Sequence, residues 1–165
     1  MASATVPSLI PILNPLIRRL LGAGLPFGPN VLLTVRGRSS GLPRTFPVAI
    51  LELGGRRFVQ SPFGEVNWVH NLRAAGEAVV SKGRGHERVD AIEVVPEDGG
   101  SLLREALAPY VRSRVLRPVL GRFFHLRTDS TLDEYVAQAR THPMFELLVR
   151  QPGAHAGNQA TSPRV

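Results

Sequence analysis

The sequence predicts a mainly β domain with added helices, and two observations carry this prediction. Short apolar runs recur between clusters of Gly, Pro, Asn and Ser, a pattern typical of antiparallel strands joined by turns. Helical spacing appears once within this series and otherwise after it, whereas a doubly wound sheet would alternate strands and helices throughout. With 165 residues, 43% of them hydrophobic, the chain suits one domain with one core. We therefore expect an α+β fold built on a small antiparallel barrel of about six strands.

The predicted strands are separated by turn residues at each step. A loop rich in Gly and Arg separates the first two, Gly54-Gly55 precedes the third, and Gly83-Arg84-Gly85 lies between the fourth and fifth. The last strand follows the helical part of the chain and closes the fold. The predicted strands cover residues 31–35, 45–51, 56–61, 78–82, 89–95 and 144–149.

After the third predicted strand, three helices are predicted from capping residues and from apolar spacing. Asn67 is the expected N-cap of the first helix, and Gly76 is its expected end. Pro96 opens the second helix, and Ser130 or Thr131 caps the third. The shared faces carry Trp68, Asn71, Leu72 and Ala75 in the first helix and Leu102, Leu103, Ala106, Leu107 and Tyr110 in the second.

The loop between the first two strands, residues 37–44, has the composition of a phosphate-binding turn, and we call it the arginine loop. It contains two arginines, two serines and two glycines. Glycines let backbone N–H groups turn towards an anion, hydroxyls add donors, and guanidinium groups form charge-assisted bidentate hydrogen bonds with phosphate oxygens. The alternative is a solvated hairpin in which Gly and Ser only form the turn.

Composition restricts the partners and the chemistry. A net charge of +7 favours an acidic partner, namely nucleic acid, an anionic membrane surface or an anionic small molecule. Aromatic residues make up 6% of the chain, and no strand carries the paired aromatics of a single-strand binding surface, so nucleic-acid binding is not expected. Without cysteine there are no disulfides or thiol chemistry, and the histidines lack ligand spacing, so no metal site is expected.

Parts of the chain resemble the deazaflavin-dependent nitroreductases of actinobacteria. The resemblance runs from about Val31 to Pro96 and implies a split β-barrel and an oxidoreductase that uses the anionic deazaflavin coenzyme F420 as a hydride carrier. It rests on an apolar strand followed by Gly37-Arg38-Ser39-Ser40-Gly41-Leu42-Pro43-Arg44, then Pro47, then Asn67-Trp68-Val69-His70-Asn71-Leu72-Arg73.

The resemblance also implies which residues contact the coenzyme. Arg38, Ser39, Ser40 and Arg44 would hold its phosphate and acidic tail, which agrees with the chemistry of the arginine loop. The other implied contacts are Pro47 and Val48 in the ring pocket, Ser61, Pro62, Phe63 and Gly64 beside the coenzyme, and Trp68 and Asn71 on the first helix.

Some of these residues have alternative interpretations. Trp68 is either a coenzyme contact or a core residue, since single tryptophans are usually highly buried. Asn71 lies on the same helical face, where a polar group needs a partner. A proton for the reaction would come from Tyr110, Tyr135 or water, and Tyr110 is the candidate catalytic residue because it ends the helix expected to cover the barrel.

The resemblance implies an enzyme in which the reduced coenzyme F420 gives a hydride to an electron-poor acceptor, a quinone or a nitroaromatic. One alternative is the same fold with flavin mononucleotide (FMN), because a single phosphate would also suit the arginine loop. A second alternative is a non-catalytic carrier of an apolar ligand. Fold analogy also allows a homodimer, since split barrels pair through their sheets.

We assign residues 1–151 to the single split-barrel domain and residues 152–165 to a disordered tail. Residues 1–24 form an apolar segment with a short helix from about Pro15. This segment would pack on the core, form a lid over the site, or contact a membrane surface. No apolar run reaches the roughly 18 residues of a spanning helix, and no signal peptide is evident, so we expect a cytoplasmic protein, either free or membrane-associated.

Overall fold

The computed structural model describes residues 31–113 and 124–150 of the chain. Within these ranges the chain forms seven strands and three helices, which confirms the mainly β, α+β class. The strands are β1 (Val31–Arg36), β2 (Pro43–Val48), β3 (Ile50–Leu53), β4 (Arg56–Gln60), β5 (Glu77–Lys82), β6 (Gly85–Glu93) and β7 (Met144–Val149). The helices are α1 (Asn67–Ala75), α2 (Pro96–Val111) and α3 (Leu132–Thr141).

One antiparallel sheet contains all seven strands, in the order β2-β1-β5-β6-β7-β4-β3. Its two edge strands, β2 and β3, are consecutive in the chain and are separated only by Ala49. Val48 pairs with Val31 of β1, whereas Ile50 pairs with Val59 of β4, so the chain passes from one edge of the sheet to the other at Ala49. Because the two edges are joined through the backbone, the sheet curls into a split barrel.

Two predicted strand boundaries are corrected. The single strand expected over residues 45–51 is divided at Ala49, which gives seven strands rather than about six. The apolar run continues through this point, so the sequence contains no local signal for a change of partner strand. The strand expected to begin at Val89 begins at Gly85, because His86 and the two residues after it extend the ladder with β5 despite their polar side chains.

Side chains that alternate inward along the strands fill the barrel. The core contains Leu33, Val35, Val59, Val80, Val89 and Phe145 from the strands and Trp68, Val69 and Leu72 from α1. Gly76 follows α1 in a left-handed conformation, with φ 66°, and turns the chain directly into β5. Since β5 begins where β1 ends, α1 closes the end of the barrel at which the arginine loop lies.

Of the expected N-caps, Asn67 is corrected and Thr131 is confirmed. Asn67 is the first residue of α1, and Val66 occupies the N-cap position in an extended conformation without a side-chain capping bond. At α3, Thr131 rather than Ser130 is the cap. Its hydroxyl accepts from the backbone N of Glu134 at 3.3 Å, while the Glu134 carboxylate accepts from the backbone N of Thr131 at 2.7 Å. The Ser130 hydroxyl instead accepts from a backbone N–H of the preceding turn.

Helices α2 and α3 pack closely on each other, and α2 covers the outer face of β3 and β4. A Cβ added to Gly100 would lie 2.5 Å from Cγ2 of Val136 and 2.8 Å from its backbone N, so only glycine allows this approach. The outward-facing Phe58 of β4 is fully buried in a cluster that includes Ala106 of α2. The helices share a further cluster of Leu103, Leu107, Val111, Phe124, Leu126 and Tyr135.

Several predictions lie outside the described residues. They concern the N-terminal segment over residues 1–24, its helix from about Pro15 and the tail over residues 152–165. The domain boundaries therefore stay predictions. Within residues 31–113 and 124–150, no helix combines the length and the apolar character that crossing a membrane requires.

Candidate functional site

The arginine loop is held in shape by its own hydrogen bonds. Gly37 N donates to Leu42 O, and Gly41 N donates to Gly37 O, both at 2.8 Å. Gly41 has φ 68°, a left-handed conformation that glycine adopts without strain. A Cβ on Gly37 would lie 2.8 Å from Oγ of Ser40 and 3.2 Å from Leu42 O. Both glycines are therefore needed for this tight turn.

Arg38 ties the arginine loop to α1. Its backbone N donates to Oδ1 of Asn71 at 3.2 Å, and its Nη1 donates to the same oxygen at 2.9 Å. Asn71 is only 5% exposed and lies on the α1 face that also carries Trp68. The buried amide oxygen thus has the polar partner that the sequence required. Two motifs 33 residues apart in the chain meet at this point.

The remaining polar residues of the arginine loop differ in whether their side chains already form hydrogen bonds within the loop. Ser39 and Arg44 are exposed, and Arg44 stands opposite Val35 in the β1–β2 ladder. The Oγ of Ser40 accepts a hydrogen bond from the backbone N of Leu42 at 3.3 Å. Ser40 therefore helps to form the turn, whereas Ser39 and Arg44 are accessible to a ligand.

The guanidinium groups of the arginine loop are not neutralised by neighbouring carboxylates. Among the described residues, Arg38 and Arg44 form no ion pair, whereas Arg56 bonds Glu146 at 2.6 Å and Arg73 contacts two glutamates. The hydrogen bond from Arg56 lowers the pKa of Glu146. An anion can therefore bind Arg38 and Arg44 without displacing a carboxylate of the described residues.

Pro47 and Val48 lie on opposite faces of β2. Val48 is buried in the barrel core and pairs with Val31, whereas Pro47 is exposed and pairs with Leu32, which is 48% exposed. Because successive side chains of a strand alternate between faces, the two residues cannot line the same pocket with their side chains. The predicted ring contact of each residue stays a prediction.

The turn over residues 61–64 is packed against the β7 side of the fold. Ser61 is fully buried, its Oγ donates to Gly64 O at 2.6 Å, and its backbone N donates to Pro143 O at 3.0 Å. Gly64 has φ 72°. Pro62 is half-buried, and Phe63 is 46% exposed at the tip. The Ser61 hydroxyl therefore holds the turn, and the coenzyme contacts predicted for these four residues stay predictions.

The candidate residues Trp68 and Tyr110 lie in different parts of the fold. Trp68 is 8% exposed and belongs to the barrel core, where its ring centre lies 6.2 Å from that of Phe145. Tyr110 is half-buried and packs on the cluster between α2 and α3. In that cluster burial raises the pKa of Tyr135. The position of Trp68 agrees with its interpretation as a core residue. Its predicted contact with the coenzyme stays a prediction.

A cavity of about 670 Å³ lies at the end of the barrel remote from the arginine loop, beside the start of β1 and the end of β5. Its lining includes the ion pair between Arg57 and Glu87, in which the hydrogen bond from Arg57 lowers the pKa of Glu87. None of the residues predicted to contact the coenzyme lines this cavity. The part of the candidate site that observed contacts bring together is the surface formed by the arginine loop and α1.

Two features of this surface were missed by reasoning from the sequence. Arg36 ends β1 next to the arginine loop, is exposed, and forms no ion pair with any described residue. The burial of Gly37 was also not predicted. Arg36 and Gly37 are the two residues before Arg38, so the residue types were visible in the sequence, but the strand register that decides which side chains are exposed was not.

The arrangement is suited to binding an anion. Arg38 and Arg44 supply delocalised positive charge, and the Ser39 hydroxyl is an exposed donor. Two guanidinium groups and a hydroxyl match phosphate and carboxylate oxygens, which accept several hydrogen bonds each. The same donor set would be a poor site for a cation or for an apolar ligand.

The chain matches a family model, but no curated protein sequence matches it. Residues 18–114 match the model described as F420H(2)-dependent quinone reductase. The chain is also similar to a solved structure described as an F420-H2 dependent reductase, FDR-A, with 23% identity, coverage of 72% of this chain and 93% of that one, and a TM-score of 0.44.

Two further solved structures are similar at lower identity. A NimC/NimA family protein from Clostridium acetobutylicum has 13% identity and a TM-score of 0.43, with coverage of 80% of this chain and 84% of that one. An FAD-binding protein from Mesorhizobium loti has 16% identity and a TM-score of 0.42, with coverage of 80% of this chain and 89% of that one.

Proposed function

Because the chain belongs to the F420H(2)-dependent quinone reductase family, we propose that it is an oxidoreductase that passes a hydride from the reduced deazaflavin coenzyme to a quinone. Coenzyme F420 is the cofactor that this family implies. The proposal for the site rests on one observation above all: the two arginines of the arginine loop are exposed and form no ion pair among the described residues. One of them, Arg38, is also joined to α1 through Asn71.

We propose that the arginine loop holds the anionic part of the coenzyme. Arg38 and Arg44 would bind its phosphate and acidic groups, with Ser39 as an additional donor. The turn over residues 61–64 and the β2 residues Pro47 and Val48 would lie nearer the ring. The donor chemistry of the loop fits such a group because every side chain named for the tail is a cation or a hydroxyl.

When bound, the reduced coenzyme supplies the hydride and carries the redox chemistry. The chain's own residues bind and orient the coenzyme. Arg38, fixed by Asn71, would hold the anionic tail in one place, and the packed core around Trp68 would keep α1 rigid behind it. Tyr110 is our candidate for a proton donor to the acceptor, with water as the alternative.

A comparison of acceptors tests the quinone assignment. With the reduced coenzyme, we expect kcat/KM for a naphthoquinone to exceed that for a nitroimidazole by at least about tenfold, a discrimination that pocket contacts of a few kcal/mol can supply. The measurement is the rate of coenzyme oxidation above a protein-free blank. The double variant Arg38→Ala/Arg44→Ala is the control, and it should lose turnover with both acceptors alike.

The opposite preference would make the protein a nitroreductase with the same cofactor. If the coenzyme binds but no quinone or nitroaromatic in a broad panel is reduced, the reductase assignment fails for this chain and the carrier of an apolar ligand replaces it.

A further inference from the structure

We propose that Asn71 is a positioning residue, which acts on coenzyme binding through Arg38 rather than through a contact of its own. The inference rests on the proposed function, because it concerns the site that would hold the coenzyme tail. It starts from the two hydrogen bonds that converge on the Asn71 side chain from Arg38.

The orientation of the Asn71 amide follows from its partners. The backbone N and Nη1 of Arg38 can only donate hydrogen bonds, so the atom that faces both of them must be the carbonyl oxygen. Asn71 is 5% exposed, and its place on α1 is fixed by the buried neighbours Trp68 and Leu72. A rigid helix therefore presents one acceptor at one point to a surface loop.

The bonds constrain both the backbone and the side chain of Arg38. The bond to the backbone N, at 3.2 Å, fixes where the arginine loop approaches α1. The bond to Nη1, at 2.9 Å, fixes one end of the guanidinium group. Among the described residues, Nε and Nη2 have no partner, so the side-on fork of the guanidinium remains for an anion.

This tie matters because the tip of the loop, residues 37–42, is otherwise held by bonds within the tip. The bonds of Gly37, Ser40, Gly41 and Leu42 keep the shape of the turn, and the β1–β2 ladder anchors its two ends. Within the described residues, Arg38 to Asn71 is the side-chain hydrogen bond that joins the loop to a helix. Loss of the Asn71 acceptor would leave Arg38 present but free to move, so part of the binding energy would be spent on ordering it.

A double-mutant cycle on the full chain tests the inference, with the dissociation constant of coenzyme F420 measured by titration. Asn71→Leu keeps the volume and the helix but removes the acceptor, and we expect it to weaken binding about tenfold. In the Arg38→Ala background the same change should weaken binding by no more than about threefold, because the guanidinium that Asn71 positions is gone and only the bond to the backbone N of residue 38 is left to lose.

Two further variants separate positioning from general loss of structure. Asn71→Asp still accepts both hydrogen bonds, so amide exchange of residues 37–42 should stay near the wild-type rate, but its carboxylate neutralises Arg38 and should weaken coenzyme binding. Asn71→Leu should speed that exchange. Arg73→Ala, which removes the ion pairs of α1 with Glu65 and Glu93, is the matched control and should leave the dissociation constant unchanged.

The outcomes separate the inference from the proposed function. If wild-type protein does not bind the coenzyme, the proposed function fails. If it binds, and Asn71→Leu weakens binding equally with and without Arg38, then Asn71 contacts the coenzyme directly and the inference is wrong. Unchanged binding in Asn71→Leu would also overturn it.

Discussion

Replacing Arg44 or Arg38 by alanine is expected to weaken coenzyme F420 binding by about 10- to 100-fold in each case, the equivalent of about 1.5–3 kcal/mol per charge-assisted contact. Both side chains are exposed and form no ion pair among the described residues, so neither substitution should disturb the barrel. The measurement is a titration with the oxidised coenzyme at constant ionic strength. Melting temperatures recorded alongside should stay close to wild type.

A matched control separates these two arginines from the overall positive charge. Arg84 lies in the turn between β5 and β6, is exposed, and is remote from the arginine loop. Arg84→Ala removes the same charge and should change the dissociation constant by less than about twofold at physiological salt, where exposed charges are screened beyond roughly 8 Å. If all three variants lost coenzyme affinity equally, the coenzyme would be attracted by the overall positive charge and not bound at a defined site in the arginine loop.

Among the substitutions proposed here, Phe145→Ala is expected to lower the free energy of unfolding most. Phe145 is 1% exposed, lies in the middle of the barrel core and packs against Trp68 of α1. Removing a buried phenylalanine ring costs about 3–5 kcal/mol of unfolding free energy. For a chain of this length the melting temperature should fall by roughly 6–20 °C, measured by thermal unfolding.

The control for this substitution lies on the same strand. Leu148 of β7 is 43% exposed, so Leu148→Ala removes an apolar side chain of similar kind without leaving a closed cavity. It should cost less than about 1 kcal/mol. A loss from Leu148→Ala as large as that from Phe145→Ala would contradict the placement of the core inside the barrel.

The elements with strong local signals were predictable from the sequence. The predicted strand over residues 144–149 matches β7, and Gly76 ends α1 in the left-handed conformation expected of a C-terminal glycine. Pro96 opens α2, and the apolar spacing of that helix matches its buried face. In each case the residue types act within one element, so no knowledge of distant partners was needed.

What could not be predicted depends on partners far apart in the chain. The break at Ala49 exists because β2 and β3 pair with different strands, and no residue in that apolar run marks it. The hydrogen bond between Arg38 and Asn71 is likewise not predictable from local sequence, although each residue is a site candidate by itself. Pro47 and Val48 lie on opposite faces of β2, a consequence of strand register, and the ring contact that the resemblance implies for each stays a prediction.

The most direct test of the central claim is a side-by-side titration of the full chain with coenzyme F420 and with FMN at the same ionic strength. We expect the deazaflavin coenzyme to bind more tightly, since its acidic tail offers the arginine loop more negative charge than a single phosphate does. Its affinity should fall as salt is raised, because the exposed charges are screened. Tighter binding of FMN, or no binding of coenzyme F420 at low salt, would contradict the account.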